Sequence, residues 1–249
     1  MTPNTQETWI ILGATSSMAR AFARSVAQDG AAVLLAGRDM EDMQVFALDL
    51  ALRGAILAEA HAIDMRDNTG FAPLIERAQQ EEGQISVAVF TGSMPPQSEI
   101  DDNPELIHGV IRDSFTGPAE FLQMIAPEME TRGGGQVVGV GSVAGDRGRI
   151  GNYVYGAAKA GFHTYLSGFR NRLNRSGAHV LTVKPGFVDT AMTWTVDGMF
   201  LVASPENVAR DIRKALRKKR NVIYTPFFWW GIMSIIRSIP EFIFKKLSV

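Results

Sequence analysis

Short, nearly continuous apolar runs alternate along this chain with stretches long enough for amphipathic helices, and few folds accommodate that alternation. Trp9–Leu12, Ala32–Ala36, Ile85–Phe90, Gln136–Val140 and His179–Val183 are too uniformly apolar for strands with one wetted face. They predict strands buried on both sides, as in a parallel sheet. A third strand ends near Ile63-Asp64, and a short last one covers Val222-Ile223-Tyr224. Helices are expected over Ser17–Asp29, Glu41–Arg53, Phe71–Glu82, roughly Pro104–Glu130, Tyr153–Arg175 and Pro205–Lys218. Ser204 suits the N-cap of the last of these and Pro205 its first position. The fold class implied is α/β: a doubly wound parallel sheet of about seven strands with helices on both faces. Such a sheet binds its ligand beyond the carboxyl ends of its strands.

No linker or repeat divides the 249 residues, so one domain is expected over 1–249, with 225–249 as its C-terminal tail. The formal net charge of −1 gives no general attraction for nucleic acid. With no cysteine, and with His61, His108, His163 and His179 scattered, no metal site is expected. The start of the chain lacks the pattern of a signal peptide, and no apolar run reaches the ~18 residues of a membrane span. A cytoplasmic protein is expected.

The first strand runs directly into Gly13-Ala14-Thr15-Ser16-Ser17-Met18-Ala19 and then a helix. A dinucleotide needs a tight turn at this point and backbone N–H groups facing its pyrophosphate. Gly13 supplies the turn, and Thr15, Ser16 and Ser17 supply hydroxyls and a cap. Ser17 and Ala19 stand where further glycines are common, so a plain serine-capped helix start fits the loop equally well. The second strand ends in Gly37-Arg38-Asp39. Arg38 in place of an acidic residue suits a 2′-phosphate and favours NADP over NAD; a solvated arginine paired with Asp39 or Glu41 is the alternative. Asp64 is positioned to accept from an adenine amino group.

Tyr155 and Lys159 lie four residues apart on a predicted helix and therefore share a face. A nearby ammonium favours a phenolate, which would make Tyr155 a usable general acid and base. Ser142 ends the fifth strand among small residues, thirteen positions before Tyr155, where its hydroxyl could hold a substrate carbonyl or merely cap a turn. Pro185-Gly186-Phe187-Val188-Asp189-Thr190 follows the sixth strand at the same edge. Pro185 and Gly186 would cover a nicotinamide there, with Val188 and Thr190 holding its carboxamide. Residues 191–201 suggest a lid.

Together the glycine loop (Gly13 to Met18), Asp64, Gly92, Ser142, Tyr155, Lys159 and Pro185–Thr190 resemble the short-chain dehydrogenase/reductase family, in family order over nearly the whole chain. The resemblance implies a Rossmann fold and a nicotinamide cofactor, NADP or NAD. It also implies hydride exchange between that cofactor and a ketone or secondary alcohol, and a homodimer or homotetramer built on the long central helices. Two positions depart from the family pattern. Val89-Phe90-Thr91-Gly92 replaces Asn-Asn-Ala-Gly, and Ser114 stands where many members carry a fourth catalytic Asn. Ser142–Arg147, Val154-Tyr155-Gly156 and Ile239–Leu247 further resemble decaprenylphosphoryl-2-keto-erythro-pentose reductase-like members of the family. That subgroup implies a polyprenyl-phosphate-linked keto-sugar as substrate.

Lys214–Arg220 is basic, Phe227-Phe228-Trp229-Trp230 aromatic, and Lys245-Lys246 closes the tail. Aromatics flanked by cations suit a bilayer interface; a core or subunit-interface helix would use the same residues. Contact with the inner face of a membrane is therefore one expectation for the tail. Arg147 and Arg149 lie near the catalytic edge, where either could meet a substrate phosphate or form a surface ion pair with Asp146. Another lipid-like ketone (a 3-oxoacyl thioester or 3-ketosphinganine) would keep the same residues. A non-catalytic nucleotide-binding regulator or a membrane-docking scaffold would dispense with Tyr155.

Overall fold

The structure, a computed structural model, describes residues 6–190 and 201–247. Its strands are β1 (Glu7–Leu12), β2 (Ala32–Gly37), β3 (Leu57–Ala62), β4 (Gln84–Val89), β5 (Gln136–Val140), β6 (His179–Pro185) and β7 (Val222–Thr225). All pair in parallel, in the order β3-β2-β1-β4-β5-β6-β7. This is the Rossmann-type doubly wound sheet expected. The chain reverses direction across the sheet between β3 and β4, so a crevice opens above the carboxyl ends of β1 and β4. Leu12 of β1 pairs with both Ala36 and Val89, so β1, β2 and β4 end level beneath that crevice.

The helices are α1 (Ser17–Ala27), α2 (Met40–Leu52), α3 (Phe71–Gln79), α4 (Gln97–Asp102), α5 (Leu106–Ile111), α6 (Gly117–Arg132), α7 (Tyr153–Leu173), α8 (Pro205–Arg217), α9 (Trp229–Ser238) and α10 (Glu241–Phe244). β1 shows why both faces need cover: Trp9, Ile10, Ile11 and Leu12 are all completely buried. Trp9 and Ile11 face one layer with Phe22 of α1, Met43 of α2 and Ile212 of α8. Ile10 and Leu12 face the other, with Phe71 of α3, Phe121 of α6 and Phe162 of α7. Alternate side chains of one strand thus seed two separate cores.

Three features depart from the sequence reading. The stretch expected as one helix over 104–130 is α5, a π turn at Arg112–Thr116, and α6. Pro118 lacks the N–H that would return to the Ser114 carbonyl, and the turn before it opens. The polar sequence Gln97–Asp102 forms α4, which no apolar period announced. The basic cluster Lys214–Arg220 precedes β7 and the tail follows it, so the two lie at opposite edges of the sheet. The cluster therefore does not flank the aromatic tail. Ser204 caps α8 as expected, its Oγ accepting from Asn207 N at 3.2 Å. Among the described residues no helix is long and apolar enough to cross a membrane. The expected lid lies outside the described residues except for Leu201.

Candidate active site

Two adjoining cavities occupy the carboxyl edge of the sheet and share Met18 and Thr190. The first, about 350 Å³, lies over β1, β2 and β4. It is lined by Gly13, Thr15, Ser16, Ser17 and Met18, and across from them by Arg38, Asp64 and Gly92. Gly13 has φ +77°, and a Cβ there would meet the Phe90 backbone at 3.0 Å, so the turn requires glycine. Ser16 caps α1, its Oγ accepting from Ala19 N at 3.2 Å, and Ser17 and Met18 of the first turn line the cavity. The serine-capped helix start is therefore formed, and it borders this cavity. Asp39 caps α2 through Asp42 N at 3.0 Å. Arg38 forms no ion pair among the described residues, so its expected partners Asp39 and Glu41 do not hold it. One Asp64 oxygen accepts from Arg66 N at 2.9 Å.

The second cavity, about 320 Å³, is lined by Ser142, Tyr155 and Arg149, by Pro185, Gly186 and Val188, and by an apolar wall that includes Met94, Val143 and Phe187. Ser142 has two bonds with different purposes. Its Oγ accepts from Ala144 N at 3.1 Å, capping the 3₁₀ turn Val143–Asp146, and the hydroxyl lies near enough to the Tyr155 phenol to favour its charged form. Its backbone N–H donates to His163 Nε2 at 3.3 Å. Burial, with Lys184 nearby, takes His163 down to about 3, so the ring is a neutral acceptor. His163 escaped the sequence reading, although it lies on the helix face of Tyr155 and Lys159, one turn beyond Lys159.

The electrostatics differ from those expected for the Tyr155–Lys159 pair. Burial pushes Tyr155 up to about 12, against the nearby Ser142 hydroxyl and the charge of Arg149. Lys159 does not act on the phenol directly. Its ammonium is 5.8 Å from the Tyr155 ring centre and donates to the carbonyls of Thr91 and Val140, both at 3.0 Å. Lys159 lines neither cavity; burial brings it down to about 7. Ser114, fully buried in the π turn, accepts from Ser93 N at 3.3 Å. A Cβ on Gly92 would touch both Ser114 Oγ at 3.3 Å and Lys159 Nζ at 3.2 Å, so these two groups flank one point.

Arg147 does not face a cavity. Its guanidinium donates to the carbonyls of Ile236 and Ile239, each at 2.6 Å, and to Glu241 at 2.9 Å, and it lies 3.7 Å from the Phe244 ring centre. Nor does Arg147 pair with Asp146, whose oxygens accept from Lys184 at 2.5 Å and Tyr224 at 2.6 Å. Arg147 ties the tail to the turn that starts at Ser142. Trp229 completes the attachment: it packs against Phe187 with ring centres 5.5 Å apart, and a side chain on Gly186 would overlap its indole. The tail is thus half core helix, through Trp229 and Met233, and half exposed, through Phe227, Trp230 and Phe242.

The model of the short chain dehydrogenase family matches residues 7–199. An uncharacterised oxidoreductase of Mycobacterium tuberculosis is 30% identical over 239 residues, which cover 96% of each chain. Among solved structures, a short-chain dehydrogenase from Sphingobium yanoikuyae in complex with NADPH aligns with TM-score 0.80 at 22% identity, over 94% of this chain and 97% of that one. A bulky-bulky ketone specific alcohol dehydrogenase from Comamonas testosteroni aligns with TM-score 0.78 at 19% identity, over 94% and 95%. The chain belongs to the short-chain dehydrogenase family and is an oxidoreductase of that family. The Mycobacterium relative carries no substrate in its description, so the likeness reaches the family and stops short of the polyprenyl-linked keto-sugar subgroup.

The sign of the Lys159 shift gives a direct check. Its charge is present below pH 7 and is lost as the pH rises through about 7. NMR of chain labelled at the lysine ε-carbons should show one lysine titrating near neutrality, absent in Lys159→Met, while ordinary lysines titrate at about 10.4. A full set of lysines titrating above pH 9 would contradict the desolvated ammonium.

Proposed function

We propose that this oxidoreductase reduces a ketone to a secondary alcohol with NADPH, using Tyr155, Ser142 and Lys159. The observation that carries the reading is that Ser142 and Tyr155 line one cavity, and that this cavity shares Met18 and Thr190 with the glycine-loop cavity. The residues of that loop cavity fit a nicotinamide dinucleotide. Gly13 leaves room for close backbone approach, the α1 N-terminus suits a pyrophosphate, and the buried hydroxyls of Thr91 and Ser93 have no partner among the described residues. Asp64 lies within the same cavity for the adenine, and Pro185, Gly186, Val188 and Thr190 border the place where the two cavities meet. Exposed Arg38, without an ion pair, suits the 2′-phosphate of NADP. The Sphingobium neighbour is itself described in complex with NADPH.

When bound, the reduced nicotinamide supplies a hydride for the carbonyl carbon. Tyr155 is a protonated phenol at neutral pH, so it can give its proton to the carbonyl oxygen as charge develops there. Ser142 holds the same oxygen by hydrogen bonding. Lys159 fixes the ends of β4 and β5 around the reaction centre and presents a cation beneath it. The apolar wall of Met94, Pro95, Pro96, Val143 and Phe187 suits a ketone with a hydrocarbon body. A polyprenyl-phosphate-linked keto-sugar is the first candidate from the subgroup resemblance; a 3-oxoacyl thioester and 3-ketosphinganine are the others to profile.

Tyr155→Phe should lower kcat by about 10²–10⁴-fold and leave NADPH affinity, read by fluorescence titration, nearly unchanged; near-normal turnover would remove Tyr155 from the mechanism. Arg38→Ala should raise KM for NADPH by about tenfold, equivalent to ~1.4 kcal/mol, with no change for NADH. An equal effect on the two cofactors would count against the 2′-phosphate contact.

The tail supports a place at a membrane surface. Phe227, Trp230, Ile235 and Phe242 are 65–82% exposed, and exposed Arg237, Lys245 and Lys246 accompany them. An anionic lipid interface matches both the aromatics and the charge. The full chain should co-sediment with vesicles of phosphatidylcholine and phosphatidylglycerol, and a Phe227→Ser/Trp230→Ser/Phe242→Ser variant should not. Identical sedimentation of the two would defeat this placement.

A further inference from the structure

The bend before α7 lines the cavity of Tyr155 with two polar side chains, each of which has a buried atom without a partner among the described residues. Arg149 Nε is shielded from water and has no hydrogen-bond partner, and no ion pair to Arg149 exists among the described residues. Asn152 Oδ1 is equally buried and unpartnered. Both residues line the cavity that holds Tyr155 and Ser142. Buried polar atoms are normally satisfied within a fold, and two orphans in one cavity beside an acid/base pair mark groups kept for a ligand.

Local structure argues against a purely structural role for either residue. Asn152 occupies the N-cap of α7, where an asparagine usually bonds the first turn, yet its side chain makes no cap bond. The residue lines the cavity, and its side-chain oxygen, shielded from water, has no partner among the described residues. Arg149 is close enough to Asp146 to feel its charge, but Lys184 and Tyr224 already occupy that carboxylate. Among the described residues, Arg149 is also the only charged side chain lining this cavity; the rest of that wall is mostly apolar. A lone, partly desolvated guanidinium in such surroundings is a strong site for an oxyanion.

We infer that Arg149 and Asn152 form a substrate subsite: Arg149 binds an anionic group of the ketone, a carboxylate or phosphate, and the Asn152 amide hydrogen-bonds a hydroxyl of the same molecule. The substrate class is an anionic hydroxy-ketone with an apolar portion. This rests on the ketone-reductase reading above and narrows it. The anion contributes to binding rather than to the hydride step, so its loss appears in KM more than in kcat.

The test compares methyl ketones with their ω-carboxylate and ω-phosphate counterparts of equal chain length, with NADPH, in the wild type, Arg149→Gln, Arg149→Lys and Asn152→Ala. At one chain length the wild type should prefer an anionic ketone over its neutral counterpart by about 30- to 100-fold in kcat/KM, mostly through KM. Arg149→Gln should lower kcat/KM for the anionic ketone at least about tenfold more than for its neutral counterpart, and Arg149→Lys should restore part of that preference. Asn152→Ala should lower kcat/KM only for ketones bearing a hydroxyl. Comparing the two anionic series decides between carboxylate and phosphate. Equal losses on neutral and anionic ketones in Arg149→Gln would overturn the subsite and leave Arg149 acting on Tyr155 alone. A wild type indifferent to the anion at every chain length would also overturn it. A wild type that reduces none of the ketones, neutral ones included, would instead count against the reductase reading itself.

Discussion

A buried ammonium joins the ends of two strands. Lys159 Nζ, with its residue only 3% exposed, donates to the Val140 carbonyl at the end of β5 and to the Thr91 carbonyl just beyond β4. A desolvated cation is costly unless its donors are used, and here two backbone oxygens use them. The geometry around it follows. Gly92 must be glycine because a Cβ would press on this ammonium and on Ser114. α7 must run where it does to bring Lys159 under the strands, and that places Tyr155 one turn earlier beside Ser142. His163, one turn later, then lies behind Ser142 as the acceptor of its backbone N–H. Three successive turns of one helix thereby hold the ammonium, the phenol and the support of the hydroxyl.

Much of this was legible in the sequence, and its limits have physical reasons. Uniformly apolar strands disclosed a parallel sheet, and the four-residue spacing of Tyr155 and Lys159 survives folding because a helix preserves it. The meeting of Ser142 with Tyr155 was legible because both had to reach the same edge of that sheet. Arg147 and Arg149 were not separable. They differ by two positions in a bend, and only the attached tail decides that Arg147 turns to the carbonyls of Ile236 and Ile239 while Arg149 turns to the cavity. Lys214–Arg220 misled for the opposite reason. Sequence neighbours on either side of β7 are separated by the length of a strand, so the basic cluster and the aromatic tail lie at different edges. The π turn at Ser114 depends on a missing N–H at Pro118, which no hydrophobic period records.

The two cavities are built by different means. The one beside Gly13 is defined chiefly by backbone, with a glycine turn, a helix start and strand ends. Such a site tolerates Ser17 and Ala19 in place of glycines because the main chain, not those side chains, makes the approach. The one beside Tyr155 is defined by side chains brought from far apart: Met94 after β4, Val143 after β5, Phe187 after β6. Loops on a fixed scaffold vary without cost to the sheet, and here they set the shape of the space in front of Ser142 and Tyr155.

Trp229 gives that difference a position along the chain. Every lining residue of the glycine-loop cavity lies at or before Thr190, whereas Phe187 in the wall of the second cavity is backed by Trp229, and the Ser142 turn is tied through Arg147 to Ile236, Ile239 and Phe244. The last helices therefore back one compartment and contribute no lining residue to the other. Loosening those helices would open the chamber beside Tyr155 while every residue that lines the crevice stayed in place.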